Sequence, residues 1–290
     1  MPELPEAETI RRGLEPYVKG KRIAAVRLFH PRVARFNPEG LDGILNLRIE
    51  ALVRRGKYLW FLFPGSALVA HLRMSGQFRI GKVDSPHLRA RLTLSDGTAV
   101  SFVDQRTFGY LHLDCVAPAA DGFPAGCGSD SLCLPVSVRK TARDLLDPAV
   151  NLDRLAAEAK KRRRAVKSLL LAQDFVSGIG NIYADEALWA ARINGGRRAD
   201  TLSLSALHLL FAAAREIMKR SIDCGGTSFD KLYVNVSGRA GYFARSLNAY
   251  GRSGQPCLRC GTLLVKEPFM GRSSTYCPQC QSRRKEKDGR

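Results

Sequence analysis

At 290 residues, 45% hydrophobic and 25% charged, the chain has room for two or three domains with real cores, and its composition is that of a soluble globular protein. Lys+Arg 46 against Asp+Glu 27 leaves a net charge of +19, an excess that points to a polyanionic partner. The first twenty residues hold seven charges and no apolar run. The longest apolar stretch, Tyr58 to Ala70, is interrupted by Pro64-Gly65-Ser66, so neither a secretory signal nor a membrane span is expected and the chain is read as cytoplasmic.

The start, Pro2-Glu3-Leu4-Pro5-Glu6, packs two carboxylates and two prolines where most chains fray. Once Met1 is removed, the terminus is a secondary amine with a pKa of about 8, unprotonated in part near neutrality. Condensed with an aldehyde-level carbon it gives a cationic iminium, an electron sink. On these residues alone the simpler reading is a helix start, with Pro5 in the first turn and acids favouring the N-terminus. Ala7, Ile10, Leu14 and Val18 then recur at helical spacing, with Arg11, Arg12 and Glu15 on other faces; Pro16 should end or kink the helix.

Six short apolar or alternating runs follow. Ile23 to Phe29, Leu47 to Val53, Tyr58 to Phe63, Leu68 to Leu72, Ala90 to Leu94 and Ala99 to Val103 read as strands, with a hairpin turn at Ser95-Asp96-Gly97. Strands at this spacing predict a sandwich or barrel over residues 1–116. The Pro-, Gly-, Ala- and Ser-rich stretch 117–137 has no period and reads as a linker. Residues 138–250 read as helical, with runs at Asp153 to Ala159, Ala165 to Gln173, Ala184 to Ala191 and Ser203 to Arg220. The basic block Lys160 to Arg164 lies between the first two. Gly178-Ile179-Gly180-Asn181-Ile182-Tyr183 is no dinucleotide fingerprint, since its third glycine position is Tyr183 and its flank is helical. Two helices joined by a glycine turn resemble instead a helix-turn-helix DNA-binding unit, whose backbone N–H groups suit a phosphate.

Eight cysteines in a reducing compartment are more plausibly thiols or metal ligands than a disulfide framework. Cys115, Cys127, Cys133 and Cys224 are scattered and read as free thiols. Cys257-x2-Cys260, sixteen intervening residues, then Cys277-x2-Cys280 has the spacing of a tetrahedral zinc site in a finger over 251–282. Four sulfurs saturate the ion, so the zinc is structural. Residues 283–290 read as a basic tail.

With these pieces placed, the chain resembles the formamidopyrimidine-DNA glycosylase (Fpg) family over nearly its whole length. The resemblance is carried by the Pro2 to Glu6 start, Arg55-Gly56-Lys57-Tyr58-Leu59, His71-Leu72-Arg73-Met74-Ser75-Gly76, Asp104-Gln105-Arg106-Thr107-Phe108-Gly109, Gly178 to Glu186, Tyr250-Gly251-Arg252, and the finger with Gly271-Arg272. It implies an α+β multidomain fold: an N-terminal β-sandwich with an N-terminal helix, a helix-two-turn-helix domain and a four-cysteine zinc-finger hairpin, with a DNA groove between two main domains. It also implies a bifunctional DNA glycosylase and AP lyase that excises oxidised purines. Pro2 is then the nucleophile at C1′, Glu3 the proton donor that opens the sugar, Glu6 a supporting acid and Lys57 a proton donor and phosphate contact on the strand after Gly56. Arg272 is the proton donor of δ elimination as well as a phosphate contact.

An enzyme acting on a base within a duplex must extrude it and fill the gap. Met74, Arg106 and Phe108 match the family's wedge positions, and His87, Arg163, Lys167 and Asn181 match positions that grip phosphates, contacts that fix register without reading sequence. Arg239 to Phe243 is assigned to the loop that closes over the base. The expected partner is damaged double-stranded DNA, with no membrane; the expected cofactor is one structural zinc, with no nucleotide or redox cofactor. The protein is expected to be a monomer, nucleoid-associated if bacterial. Departures from the family pattern are Ala7 where valine is usual, Arg89 where a second histidine is usual, Arg163 where lysine is common, and a longer 117–137 stretch. Two alternatives stay open: an endonuclease VIII-type glycosylase for oxidised pyrimidines, and a non-catalytic zinc-ribbon DNA-binding protein, which leaves Pro2, Glu3, Glu6 and Lys57 without a purpose.

Overall fold

The computed structural model describes residues 2–227, 236, 241 and 243–283. The chain divides into two compact units, Met1–Ala142 with Ser221–Ala244, and Arg143–Arg220 with Arg245–Arg290.

The first unit begins with helix α1 (Leu4–Val18). Nine strands follow: β1 (Ile23–Leu28), β2 (Ala51–Arg55), β3 (Tyr58–Phe63), β4 (Ser66–His71), β5 (Gly76–Ile80), β6 (Leu88–Leu94), β7 (Ala99–Asp104), β8 (Tyr110–Pro118) and β9 (Cys133–Pro135). They form two antiparallel sheets, β1-β6-β7-β5 and β2-β3-β4-β8-β9. Strand alternation sends Leu59, Phe61 and Phe63 into a core shared with Ile10 and Leu14 of α1 and with Phe78, Leu92 and Phe102. This is the expected sandwich. β5, β8 and β9 were not among the expected strands.

The stretch 117–137 is not a linker. Trp60 and Leu62 face the opposite side of β3, where they pack with Val53, Val69, Ala125, Leu134 and Val138. Burial on both faces explains why β3 reads as an unbroken apolar run. The covering segment pairs with the sheet twice. Val116 to Pro118 oppose Cys133 to Pro135, and Cys127 exchanges two backbone hydrogen bonds of 2.9 Å with Arg54. Gly126 allows the approach, since a Cβ there would lie 2.5 Å from the Arg54 carbonyl oxygen.

Helix α1 runs on through Pro16 to Val18 and shows no break at the proline, which lies in its last turn and so forfeits a single hydrogen bond. Arg11, set by the helical spacing off the apolar face, is nevertheless buried. The cause is Glu8, whose carboxylate sits at the seam between α1 and β2 and accepts from Arg11 at 3.0 Å, Arg12 at 2.9 Å and Arg54 at 2.9 Å. Burial pushes the Glu8 carboxyl up, but Arg54 and Arg11 override it and hold the group at about 2.

The second unit contains α2 (Leu152–Lys160), α3 (Val166–Leu170), α4 (Asn181–Ala190), most of α5 (Leu204–Asp223) and the hairpin β10 (Val265–Phe269) with β11 (Arg272–Tyr276). The Asn151 side chain caps α2 by accepting from the Arg154 N–H at 2.9 Å. Between α3 and α4 the chain turns through Gly178 at φ 90°, so the glycine turn stands where the sequence places it. Among the described residues no helix is long and apolar enough to cross a membrane.

Glu8→Gln removes the charge that Arg54 and Arg11 share, which should destabilise the chain by about 3–5 kcal/mol in urea unfolding at neutral pH. Because the folded carboxyl is held down, the contribution is complete above the ordinary value of 4.5 and is lost as pH falls through about 2. The stability gap between wild type and variant should therefore narrow across that window; a gap independent of pH would contradict the assignment.

Candidate active site and nucleic-acid interface

Pro2 and Glu3 are both buried. Glu3 caps α1, and its N–H, which belongs to the peptide unit joining it to Pro2, donates to Glu6 Oε2 at 2.8 Å. The other Glu6 oxygen accepts from the Thr227 N–H at 2.8 Å and from its hydroxyl at 2.7 Å. Gly226, at φ 83°, passes so close that a Cβ would lie 3.3 Å from Glu6 Oε1. One carboxylate thus fixes the peptide behind Pro2 and ties it to a segment more than two hundred residues away. Thr227 is a partner that no local sequence signal reveals.

Lys57 lies in the β2–β3 turn itself, beside Gly56 at φ 57°, and is only 9% exposed. This corrects its expected place on the strand. Arg54, which holds Glu8, also donates to the Gly56 carbonyl at 3.1 Å, so a single guanidinium links α1 to the turn that carries Lys57. His71 is nearby on β4. Burial, then the charges of Arg73, Lys57 and Arg35, push it down to about 3, so it is neutral at physiological pH. Its Nδ1 accepts from the Arg73 N–H at 3.0 Å.

Met74, Arg106 and Phe108 sit on two loops that Asp104 holds together. Asp104 is fully buried at the end of β7. Its Oδ1 accepts from the Ser75 hydroxyl at 2.5 Å and the Arg106 N–H at 3.1 Å, and its Oδ2 accepts from the Gly109 N–H at 2.6 Å. Arg35 braces the same loop, donating to the carbonyls of Phe108 at 2.8 Å and Gly109 at 3.1 Å while lying over the Tyr110 ring. With the backbone anchored, the apolar side chains stay out in solvent: Met74 is 41% and Phe108 44% exposed. Arg73 and Thr107 adopt φ 53° and 55°, a left-handed conformation uncommon for such residues. The His87 carbonyl accepts from the Asp104 N–H at 2.8 Å, which brings that residue to the same end of the sheet.

In the second unit Arg163 is 80% exposed, with a loose 3.9 Å approach to Asp200. Asn181 opens α4, and its buried Oδ1 has no hydrogen-bond partner among the described residues. Lys167 is a correction. Its ammonium is fully buried, donates to Asp185 at 2.6 Å and to the Ser273 carbonyl at 2.9 Å, and so cannot reach a phosphate without breaking both. Asp185 in turn accepts from the Thr275 N–H at 3.0 Å. The pair anchors β11, and with it exposed Arg272 at the strand's first position, onto α3 and α4. Glu186 is a second unforeseen clamp, since it accepts from the N–H groups of Asn248, Ala249 and Tyr250.

The sulfurs of Cys257, Cys260, Cys277 and Cys280 all lie within 4.8 Å of one another. Zinc–sulfur bonds of about 2.3 Å place tetrahedral sulfurs about 3.8 Å apart, inside that spread, so the four fit one zinc ion. Trp189 Nε1 donates to Cys257 Sγ at 3.4 Å and the Cys280 N–H to Cys277 Sγ at 3.3 Å, the outer hydrogen bonds that suit bound thiolates.

Lys167→Met leaves the Asp185 carboxylate buried without its cation and should cost about 3–5 kcal/mol in thermal or urea unfolding, most of which Asp185→Leu in addition restores. Lost DNA affinity at unchanged stability would instead return Lys167 to the phosphate contacts.

Residues 1–111 match the formamidopyrimidine-DNA glycosylase N-terminal domain, residues 141–232 its H2TH domain, and residues 254–283 the zinc finger found in FPG and IleRS. The chain is 50% identical over 289 residues to the formamidopyrimidine-DNA glycosylase of Mycolicibacterium smegmatis, with 98% of each covered. It is similar to the crystal structure of MutM (Fpg) from Thermus thermophilus, with a TM-score of 0.82 at 34% identity over 97% of this chain and 98% of that one. A structure of MutM in complex with DNA containing carbocyclic 8-oxo-G gives 0.80 at 31% identity, over 97% and 100%. With three domains matched in order and half of its residues shared with a full-length relative, the chain belongs to the formamidopyrimidine-DNA glycosylase family.

Proposed function

We propose that this chain is a bifunctional DNA glycosylase and AP lyase of base excision repair, acting on oxidised purines such as 8-oxoguanine and formamidopyrimidines. The observation that carries the reading is the buried Pro2, whose following peptide is fixed by Glu6 at 2.8 Å. A terminal amine held this way loses little freedom on reaching C1′ of an extruded nucleotide.

After Met1 is removed, the Pro2 nitrogen attacks C1′ as the damaged base departs, and Glu3 supplies a proton to the ring oxygen as the sugar opens. With the iminium as electron sink, loss of a proton from C2′ to solvent expels the 3′ phosphate, and loss of a proton from C4′ then expels the 5′ phosphate; Lys57 and Arg272 serve as proton donors to the departing groups. Glu6 acts as a positioning residue rather than a proton carrier. Met74, Arg106 and Phe108 fill the vacated stack, and His87, Arg163, Asn181 and Arg272 hold backbone phosphates. Every step is redox-neutral and uses a group from one chain, which accords with a monomer that needs no nucleotide or redox cofactor. A single structural zinc holds the finger that carries Arg272, and its thiolates suit a reducing cytoplasm.

Borohydride reduction in the presence of duplexes carrying 8-oxoguanine, thymine glycol or an abasic site tests the reading. A trapped covalent adduct is expected on the 8-oxoguanine and abasic duplexes, and it should vanish in protein that retains Met1. No adduct on any duplex would exclude the enzyme, adduct confined to thymine glycol would move the chain to the endonuclease VIII type, and trapping undiminished by Met1 would exclude Pro2.

A further inference from the structure

The outer face of the four-stranded sheet carries a row of arginines that none of the site residues uses. On β6 the core takes Ala90, Leu92 and Leu94, which turns Arg91 outward. Cross-strand register then places Arg27 of β1 opposite Arg91, Arg91 opposite Ser101 of β7, and Ser101 opposite Arg79 of β5. Residues in register share a face, so Arg27, Arg91 and Arg79 form one transverse line with a serine between the last two. With strands about 4.8 Å apart the line spans about 14 Å.

Side chains of one sign set opposite each other repel, and a sheet with no use for such a row would be more stable without it. Among the described residues Arg27, Arg79 and Arg91 make no ion pair. The Nε atoms of Arg79 and Arg91 are buried without a hydrogen-bond partner. Arg27 and Arg91 both lie over the Phe29 ring, at 4.8 and 5.4 Å, which holds the two guanidinium groups in place. Beside them opens a cavity of about 490 Å³ lined by Lys82, Arg89 and Arg91 with one acid, Asp84. Arg91 Nη2 donates to the Val83 carbonyl at 3.1 Å and the Ser101 hydroxyl to the Gly81 carbonyl at 2.9 Å, so the face is pre-organised and strongly cationic while the Nε donors of Arg79 and Arg91 stay unmet.

We infer that this row is a second nucleic-acid contact, which binds the phosphates of a duplex segment outside the one that Met74, Arg106 and Phe108 enter. The choice of occupant rests on charge complementarity and on continuity. The Arg79–Ser101 pair lies three residues along the strands from the Gly76–Asp104 pair that fixes the wedge loops, a distance of about 10 Å. A span of about 14 Å corresponds to about four phosphates at the 3.4 Å rise of one strand. Guanidinium groups of Arg27 and Arg91 already lie over the Phe29 ring, so the row is suited to phosphate rather than to stacking a base. The inference rests on the proposed action on DNA and extends it beyond the lesion.

The test measures binding of undamaged short and long duplexes to the full-length chain over a salt series, for wild type and for Arg27→Gln/Arg79→Gln. Each phosphate contact contributes about 0.9 to the slope of log K against log salt, so the double variant should lose about 2 from its slope on the long duplex and nothing on the short one. Borohydride trapping on a short lesion duplex should be unchanged, which separates this inference from the proposed activity: trapping absent in both proteins defeats the activity, whereas trapping intact with an unaltered long-duplex slope defeats the row. If the double variant is unfolded by circular dichroism, Arg27→Gln alone, on an exposed side chain, should lose about 1. Binding of polyglutamate that the variant abolishes, with the long-duplex slope unchanged, would overturn the assignment in favour of an acidic protein.

Discussion

The carboxylate of Glu8, enclosed between helix and sheet, is the constraint on which the first unit depends. A lone charge there would cost several kcal/mol in desolvation, so its stability requires cations delivered from two directions. Arg11 comes from the same helix and Arg54 from the adjoining strand. Arg54 then has a donor left for the carbonyl of Gly56, and the turn bearing Lys57 is set relative to the helix that Glu3 caps and whose first turn holds Glu6. One buried ion cluster fixes the relation of the terminal segment to the lysine. Glu6 completes the arrangement from the other side through three hydrogen bonds.

The second unit uses the same device. Lys167 and Asp185 are wholly removed from solvent, and their remaining hydrogen-bonding capacity is spent on the backbone of Ser273 and Thr275. The consequence is a finger hairpin whose register on the helices is specified, so that Arg272 projects from a fixed base. Asp104 plays the equivalent part for the loops that carry Met74, Arg106 and Phe108. In each case a buried charged group orients an exposed one, which lets Met74, Phe108, Arg106 and Arg272 remain in solvent without being free to wander.

What could be read in advance follows from the range of each interaction. The zinc ligands were legible because two Cys-x-x-Cys pairs state their geometry within a few residues, and β3 and α4 because apolar runs and glycine turns are local signals. The strand β5 was missed because Gly76 and Arg79 obscure its alternation. The segment 117–137 was misread because its Gly and Pro content resembles a linker, while its role as the cover of Trp60 depends on contacts across the sheet. Lys167 followed a family position, and nothing near it in the chain announces Asp185 as its partner. The burial of Arg11, off the apolar face, was not foreseen because Arg54, which joins it on Glu8, is more than forty residues away. Pro2, Glu3 and Lys57 entered the candidate site through a resemblance, whereas Thr227, Asp104 and Arg35, which hold Glu6 and the loops of Met74, Arg106 and Phe108, gave no signal in the sequence. The loop assigned to Arg239 to Phe243 falls largely outside the described residues, as does the tail beyond residue 283.

The central claim is that the terminal amine, and no lysine, forms the bond to DNA. Proteolysis of the borohydride-reduced adduct followed by mass mapping reads this directly. The account predicts that the added sugar mass lies on the peptide that begins at Pro2; mass on the peptide containing Lys57, or on any other lysine, with Pro2 unmodified would contradict it.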